Sequence, residues 1–182
     1  MPEYRRSREE GGIYFFTVVT YHRLPILTDT TTRNILHSAW LDTKQRHPFE
    51  TLAVCLLPDH LHCLWKLPEG DANYSQRWNE IKGLFTKEYL RNVGIGETPN
   101  ESRQKHREAA IWQRRFWEHT ILDQNDLELH LDYIHYNPIK HGYVKQASAW
   151  QWSSFHRYVK IGLYNADWIG GSEGRLGSIE WE

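Results

Sequence analysis

Two short apolar runs, Thr51 to Leu57 (TLAVCLL) and His60 to Leu67 (HLHCLWKL), are separated only by Pro58 and Asp59. Each has the length and composition of a strand. A link this short joins antiparallel neighbours, because a parallel pair needs a crossover of about a dozen residues or more. Any sheet holding these runs therefore cannot be all parallel.

The rest of the chain fits around that hairpin. Ile13 to Thr20 (IYFFTVVT) reads as a buried strand behind Gly11-Gly12. Thr30 to Arg46 and Tyr74 to Asn92 carry apolar residues at helical spacing: Ile35, Leu36, Ala39 and Trp40 in the first, Trp78, Ile81, Leu84, Phe85 and Tyr89 in the second. Ile111 to Leu122 reads as a further strand. Gln124-Asn125-Asp126 opens a helix, with Asn125 and Glu128 at capping-box spacing, and Asn137-Pro138 is expected to stop it. Ala149 to Val159 reads as a short final helix. The order β-α-β-β-α-β-α predicts an α+β fold: a ferredoxin-like or RRM-like antiparallel four-stranded sheet with packed helices.

The 182 residues suffice for one core. The expected domain spans 1–168, with a basic arm at 1–10 and a polar loop or insertion at 93–109; a Gly-rich flexible tail follows at 169–182. No apolar run reaches the ~18 residues of a membrane span. The first ten residues lack a signal-like apolar segment, and Cys55 and Cys63 are too few for a disulfide framework, so a reducing, cytoplasmic location is expected. Net charge is −1, but residues 77–115 hold nine Lys/Arg against five Glu, a local excess that suits a polyanion.

The chemistry-bearing stretch is Pro58-Asp59-His60-Leu61-His62-Cys63-Leu64-Trp65. Strand alternation puts His60 and His62 on one side with Leu64, and Leu61, Cys63, Trp65 and Leu67 on the other. Two adjacent imidazoles make half of a metal site. In the helix after Gln124, Leu127, Leu131 and Ile134 form an apolar stripe, and His130, Tyr133 and Asn137 share an adjacent flank. Tyr133 and Asn137 lie four apart, one above the other. A phenol and an amide held over a His-x-His strand leave room for Mg2+ or Mn2+ with a phosphate oxygen. The plainer reading makes Tyr133 a half-buried aromatic and Asn137 a helix end before proline.

PDHLHCLW at 58–65 and DYIHYNPIKHGYV at 132–144 resemble the HUH single-tyrosine transposases, and most closely the REP-associated tyrosine transposases of bacteria. The similarity runs over most of residues 3–168, through EYRR, GGIYFFTV, LPEGD, RWNEIKGLFT, RFWEHTI and WQWSSFHRYV. The stretch 93–109 is longer than the family's usual connection. The resemblance implies metal ligands at His60, His62 and Asn137, a nucleophile at Tyr133, and a divalent Mg2+ or Mn2+ cofactor. It implies cleavage and rejoining of single-stranded DNA with palindromic REP hairpins, through a 5′-phosphotyrosine. It also implies DNA contacts by the arm, Tyr4, Arg5 and Arg6; the basic side chains Lys82, Lys87, Arg114 and Arg115 are candidate phosphate contacts. A monomer is the expected state. His130 is either an aid to deprotonating Tyr133 or a solvated helix residue. Trp117 stacks a base or fills the core, with the core preferred. The competing class is an inactive, domesticated regulator that binds hairpin DNA; a zinc hydrolase lacks its HExxH-like set.

Overall fold

β-Branched and aromatic side chains drive the first strand, β1 (Ile13–Val19), into the middle of a sheet, and the computed structural model of the chain describes residues 8–94, 100–105 and 109–170 around it. After β1 come α1 (Thr30–Arg46), β2 (Glu50–Leu56), β3 (His60–Lys66), α2 (Tyr74–Asn92), a short α3 (Glu101–Lys105), β4 (Trp117–Thr120), α4 (Gln124–Lys140) and α5 (Phe155–Lys160). The four strands form one antiparallel sheet in the order β2-β3-β1-β4. The fold is the expected α+β sandwich. None of the described helices is long and apolar enough to cross a membrane.

Alternation along β1 and β3 sorts the core into two. Tyr14, Phe16, Val18, Leu61, Cys63 and Trp65 pack against α1 and α2, where Trp65 stacks on Trp78 at 4.4 Å. Phe15 and Leu64 join Ala53 and Cys55 of β2 and pack against Tyr133 and Ile134 of α4. Both cysteines are buried free thiols. The outer edge of β2 is covered by the segment before α5: Leu56 N–H donates to Trp152 O and Ser154 N–H to Val54 O.

Five local expectations change. The strand expected over 111–122 shrinks to Trp117–Thr120, because Ile111 and Trp112 bury their side chains from a loop that meets only the end of β1, through a bridge from Trp112 to Thr20 and a Gln113 N–H to Val19 O bond. The polar stretch 93–109 contains α3. The cap of α4 is Asp123, whose carboxylate accepts from Asp126 N–H, so Asn125 lies inside the first turn. The same helix runs through Pro138 to Lys140. Pro138 removes one amide donor in the final turn only, and the end is closed behind it. Gly142 takes φ 72° and donates to Ile139 O, while Tyr143 donates to Pro138 O, a Schellman closure. The expected final helix divides into a 3-10 turn at Ala147–Ala149 and α5.

Candidate active site

β3 lies between β1 and β2, so His60 and His62 are buried beneath α4. Their rings are 4.9 Å apart. The register sets Thr17 of β1 opposite His62, and the Thr17 hydroxyl lies 2.9 Å from His62 Nδ1. Asp59 Oδ1 is 2.6 Å from His60 Nδ1. In each ring Nδ1 is thus engaged by a neighbour, which turns Nε2 into the ligand-facing nitrogen, the usual arrangement behind a metal-binding histidine. Burial pushes the Asp59 carboxyl up, but His60 and Arg23 outweigh that and hold it at about 2. Burial, reinforced by His60, His141 and Lys140, pushes His62 well below the ordinary imidazole range, with Asn137 pulling the other way. His62 is therefore neutral, as a ligand must be.

α4 lays Tyr133 and Asn137 over this pair. The Tyr133 ring is 5.2 Å from the His62 ring and nearly perpendicular to it. Tyr133 and Asn137 are both buried. Because α4 continues past Pro138, Lys140 falls on the same stripe, seven residues after Tyr133, and its Nζ donates to Tyr133 Oη at 3.4 Å. The next residue, His141, brings its ring to 5.1 Å from His60. Lys140 and His141 were missed in the sequence because Pro138 was read as the helix end; the i, i+4, i+7 spacing was the available signal. Asp59 and Thr17 were missed as positioning groups, since only the folded register brings Thr17 to His62.

The donor set fits a divalent ion. His62 Nε2 and both amide atoms of Asn137 are buried with no hydrogen bond of ordinary geometry to any described residue. Leaving such groups unsatisfied costs roughly 1–3 kcal/mol each, a cost that a bound cation or anion would relieve. Two imidazoles and an amide oxygen hold a metal weakly enough to leave positions for water and phosphate.

A second titratable cluster lies across the sheet. Asp126 accepts from His119 Nε2 at 2.8 Å and Leu122 N–H at 2.9 Å, and lies 3.0 Å from His130 Nδ1. The three ligand atoms fall within 4.8 Å of one another. His130 Nδ1, however, is 2.8 Å from the Asp126 carbonyl, which only accepts, so this nitrogen carries a proton and only Nε2 of that ring could serve as a ligand. The contacts of Asp126 with His119 and His130 tie β4 to α4, and the three side chains also form a group that could hold a metal ion. His130 is 2% exposed, which overturns the solvated reading, and its ring faces Phe15 at 4.8 Å.

The expected DNA contacts are only partly gathered. Arg114 and Arg115 are exposed and line one cavity with Tyr21 and His22. Lys82 lies behind them, with Nζ donating to Gln113 O at 2.6 Å. Lys87 is elsewhere, in a cavity between α1 and α2. Tyr4, Arg5 and Arg6 lie outside the described residues, as do residues 171–182 of the expected tail. The basic excess of 77–115 is smaller at the surface than in sequence, because Arg77 and Arg103 are buried. Arg77 is bound by Asp71 and by the carbonyls of His47, Pro48 and Asn73. Trp117 is 36% exposed, which corrects its assignment to the core.

Comparison with known proteins adds a family to this geometry. Residues 10–137 match the family model for IS200-like transposases. A REP-associated tyrosine transposase of Escherichia coli is 46% identical over 171 residues, covering 93% of this chain and 92% of the relative. A Haemophilus influenzae relative named for the same group is 50% identical over 171 residues, covering 93% and 94%. The solved structure of a REP-associated tyrosine transposase bound to a REP hairpin superimposes with a TM-score of 0.80 at 42% identity, covering 99% of this chain and 96% of that one.

Proposed function

The chain belongs to the REP-associated tyrosine transposases of the IS200-like transposase family, and from that premise we propose that it cuts and rejoins single-stranded DNA beside REP-type hairpins, with Tyr133 as nucleophile. The observation that carries this reading is the packing of the Tyr133 phenol against His62 and Lys140, above a buried set of unsatisfied ligand atoms.

Tyr133 Oη attacks the phosphorus of a phosphodiester. The bond from phosphorus to Oη forms as the bond to the 3′ oxygen breaks, and that oxygen leaves with a proton as a 3′-OH. The protein is then joined to the 5′ side as a phosphotyrosine. The ester keeps the energy of the broken bond, so a 3′-OH can reverse the step without ATP. Phenol ionises near pH 10, and the ammonium of Lys140 beside Oη favours the phenolate as the proton departs. His60, His62 and Asn137 would hold Mg2+ or Mn2+, which would polarise the scissile phosphate. Asp59 and Thr17 fix the imidazoles, so no ring has to reorient during the reaction. The reading includes a single catalytic unit over residues 1–168 acting as a monomer, with DNA contacts from the arm at Tyr4, Arg5 and Arg6 and from Lys82, Arg114 and Arg115.

The test is incubation with a labelled hairpin oligonucleotide carrying single-stranded flanks, in Mg2+ or Mn2+. A covalent protein–DNA adduct is expected from the wild type and from Tyr136→Phe, and none from Tyr133→Phe, which loses only a hydroxyl. An adduct formed by Tyr133→Phe overturns the nucleophile. Hairpin binding with no adduct under any metal favours the inactive regulator.

A further inference from the structure

The turn that follows β1 is joined to the turn that precedes β3. Val19 pairs with His60, the first residue of β3. Thr20 N–H donates to Asp59 O at 2.9 Å, and Leu27 N–H donates to Pro58 O at 2.8 Å. The backbone of Asp59 is thereby held from the β1 side.

Its side chain is held at both oxygens. Oδ1 is 2.6 Å from His60 Nδ1, and Oδ2 accepts from Arg23 Nη1 at 3.1 Å. Arg23 is thus two hydrogen bonds away from an imidazole whose other nitrogen faces the ligand set, with Asp59 between them.

Arg23 reaches that carboxylate from a strained backbone. The 3-10 turn Tyr21–Arg23 carries His22 at φ 49° and Arg23 at φ 53°, the two non-glycine residues with positive φ among those described. Residues with a Cβ sparsely populate this left-handed region, and those that do concentrate where a side chain must be aimed. The Arg23 side chain is 46% exposed and that of Asp59 15%. An ion pair this open adds little to stability, so what it supplies to Asp59 is direction. With Oδ2 engaged, Oδ1 is the oxygen that meets the ring, and the plane of the carboxylate is set. Partners behind a metal-binding histidine govern metal affinity by about 10- to 100-fold, because they fix the ring.

We propose that Arg23 is a positioning residue of the metal site: by holding Asp59 Oδ2 it sets the carboxylate that orients His60, and so raises the affinity of the site for Mg2+ or Mn2+. The inference rests on the reading of His60, His62 and Asn137 as ligands and extends their support to the turn after β1. Charge and position pull in opposite directions at this residue. A guanidinium near the site repels a dication, so its removal would by charge alone tighten metal binding. A loss of affinity on removing Arg23 therefore reports position.

The test is Mn2+ binding to the full chain without DNA, read from the electron paramagnetic resonance of free Mn2+. His62→Ala is the blank that defines binding at the active site. Arg23→Gly is the informative variant. Glycine takes φ 53° without strain, so the melting temperature in EDTA should stay close to the wild-type value. Mn2+ should bind about 10-fold more weakly. Arg23→Asn, tolerated at positive φ but too short to reach Oδ2, should show the same loss. Once Asp59→Ala is in place, adding Arg23→Gly should cause no further loss, because Arg23 acts through Asp59. An Arg23→Gly or Arg23→Asn protein that binds Mn2+ as tightly as the wild type or more tightly overturns the positioning role. So does a further loss of similar size in the Asp59→Ala background. Either result leaves the metal reading intact. A wild type that binds Mn2+ no better than His62→Ala overturns the metal reading itself.

Discussion

The two faces of the sheet are built from the same strands and do opposite things. On the side of α1 and α2, Tyr14, Phe16, Cys63, Trp65, Trp78 and Phe85 are fully buried and make their contacts mainly through apolar surface. On the side of α4, alternate residues of those strands are Thr17, His60 and His62, also buried but polar. The first face gains free energy mainly from the apolar area it hides, although it also buries the indole nitrogens of Trp65 and Trp78 without a described hydrogen bond. The second hides His62 Nε2 and the Asn137 amide without ordinary hydrogen bonds, which costs stability. A period of two in the sequence thus separates a face built almost wholly for packing from one that combines the packing of Phe15 and Leu64 with ligand atoms held in place.

The largest expected effect comes from making the second face resemble the first. The double substitution Thr17→Val with His62→Leu removes both partners of a buried hydrogen bond and one unsatisfied nitrogen. Adduct formation on a flanked hairpin should fall about a thousandfold or more, as the scissile phosphate loses its polarising group. Stability in urea should hold or rise by about 1 kcal/mol. Hairpin binding should persist. A double variant that unfolds readily would show that the polar face supports the fold, and the contrast would fail.

The converse change should spare the chemistry. Trp78 is 1% exposed and stacked on Trp65. Trp78→Ala is expected to cost about 3–5 kcal/mol of stability. The fraction that remains folded at low temperature should still form adduct at close to the wild-type rate. A specific loss of activity in folded Trp78→Ala protein would mean that the two faces are coupled through the sheet.

Asn137→Ala should have an intermediate effect, weakening the metal dependence of cleavage about tenfold, because water can replace an amide oxygen. Titrating Mn2+ against adduct yield reads this directly. An unchanged midpoint would remove Asn137 from the ligand set.

The legible parts of this molecule were the local ones. Alternation placed His60 and His62 together and opposite to Trp65, and helical spacing placed Tyr133 with Asn137. Residues whose roles depend on chain-distant partners were not legible. Nothing local to Thr17 indicates that it faces His62, and nothing local to Arg23 indicates that it reaches Asp59. Ile111 and Trp112 looked like strand because burial, not strand pairing, is what their side chains report. Local rules also misled at Pro138, whose cost falls in a last turn closed by Gly142, so the helix reached Lys140. The arm at Tyr4, Arg5 and Arg6 has no local pattern beyond its charge.

The smallest expected effect concerns a histidine on the other side of α4, and it sharpens the comparison within a single helix. His135 is as buried as His62 but faces away from the sheet, within reach of the Phe155, Tyr158 and Tyr164 rings, with Nε2 2.9 Å from Ser154 Oγ. Burial, with help from Arg157, pushes its pKa down to about 3. Its folded value is thus below the unfolded value near 6.5, so the folded state prefers the neutral ring. The stability this provides is complete above pH 6.5 and is lost as pH falls toward 3, by up to about 1.4 kcal/mol per pH unit. His135→Phe keeps an aromatic ring in the cage and removes the titration, at the expense of the Ser154 bond. At pH 7.5 the variant should be less stable than the wild type by about 1 kcal/mol, the worth of one hydrogen bond. At pH 5.0 the wild type alone has lost about 2 kcal/mol through this group, so the order should reverse. Urea titrations of both proteins at the two pH values, in EDTA so that metal does not couple to His60 or His62, measure the crossing. Parallel curves would mean that His135 is protonated inside the fold, and that the outer side of α4 tolerates the charge that His62 on its inner side excludes.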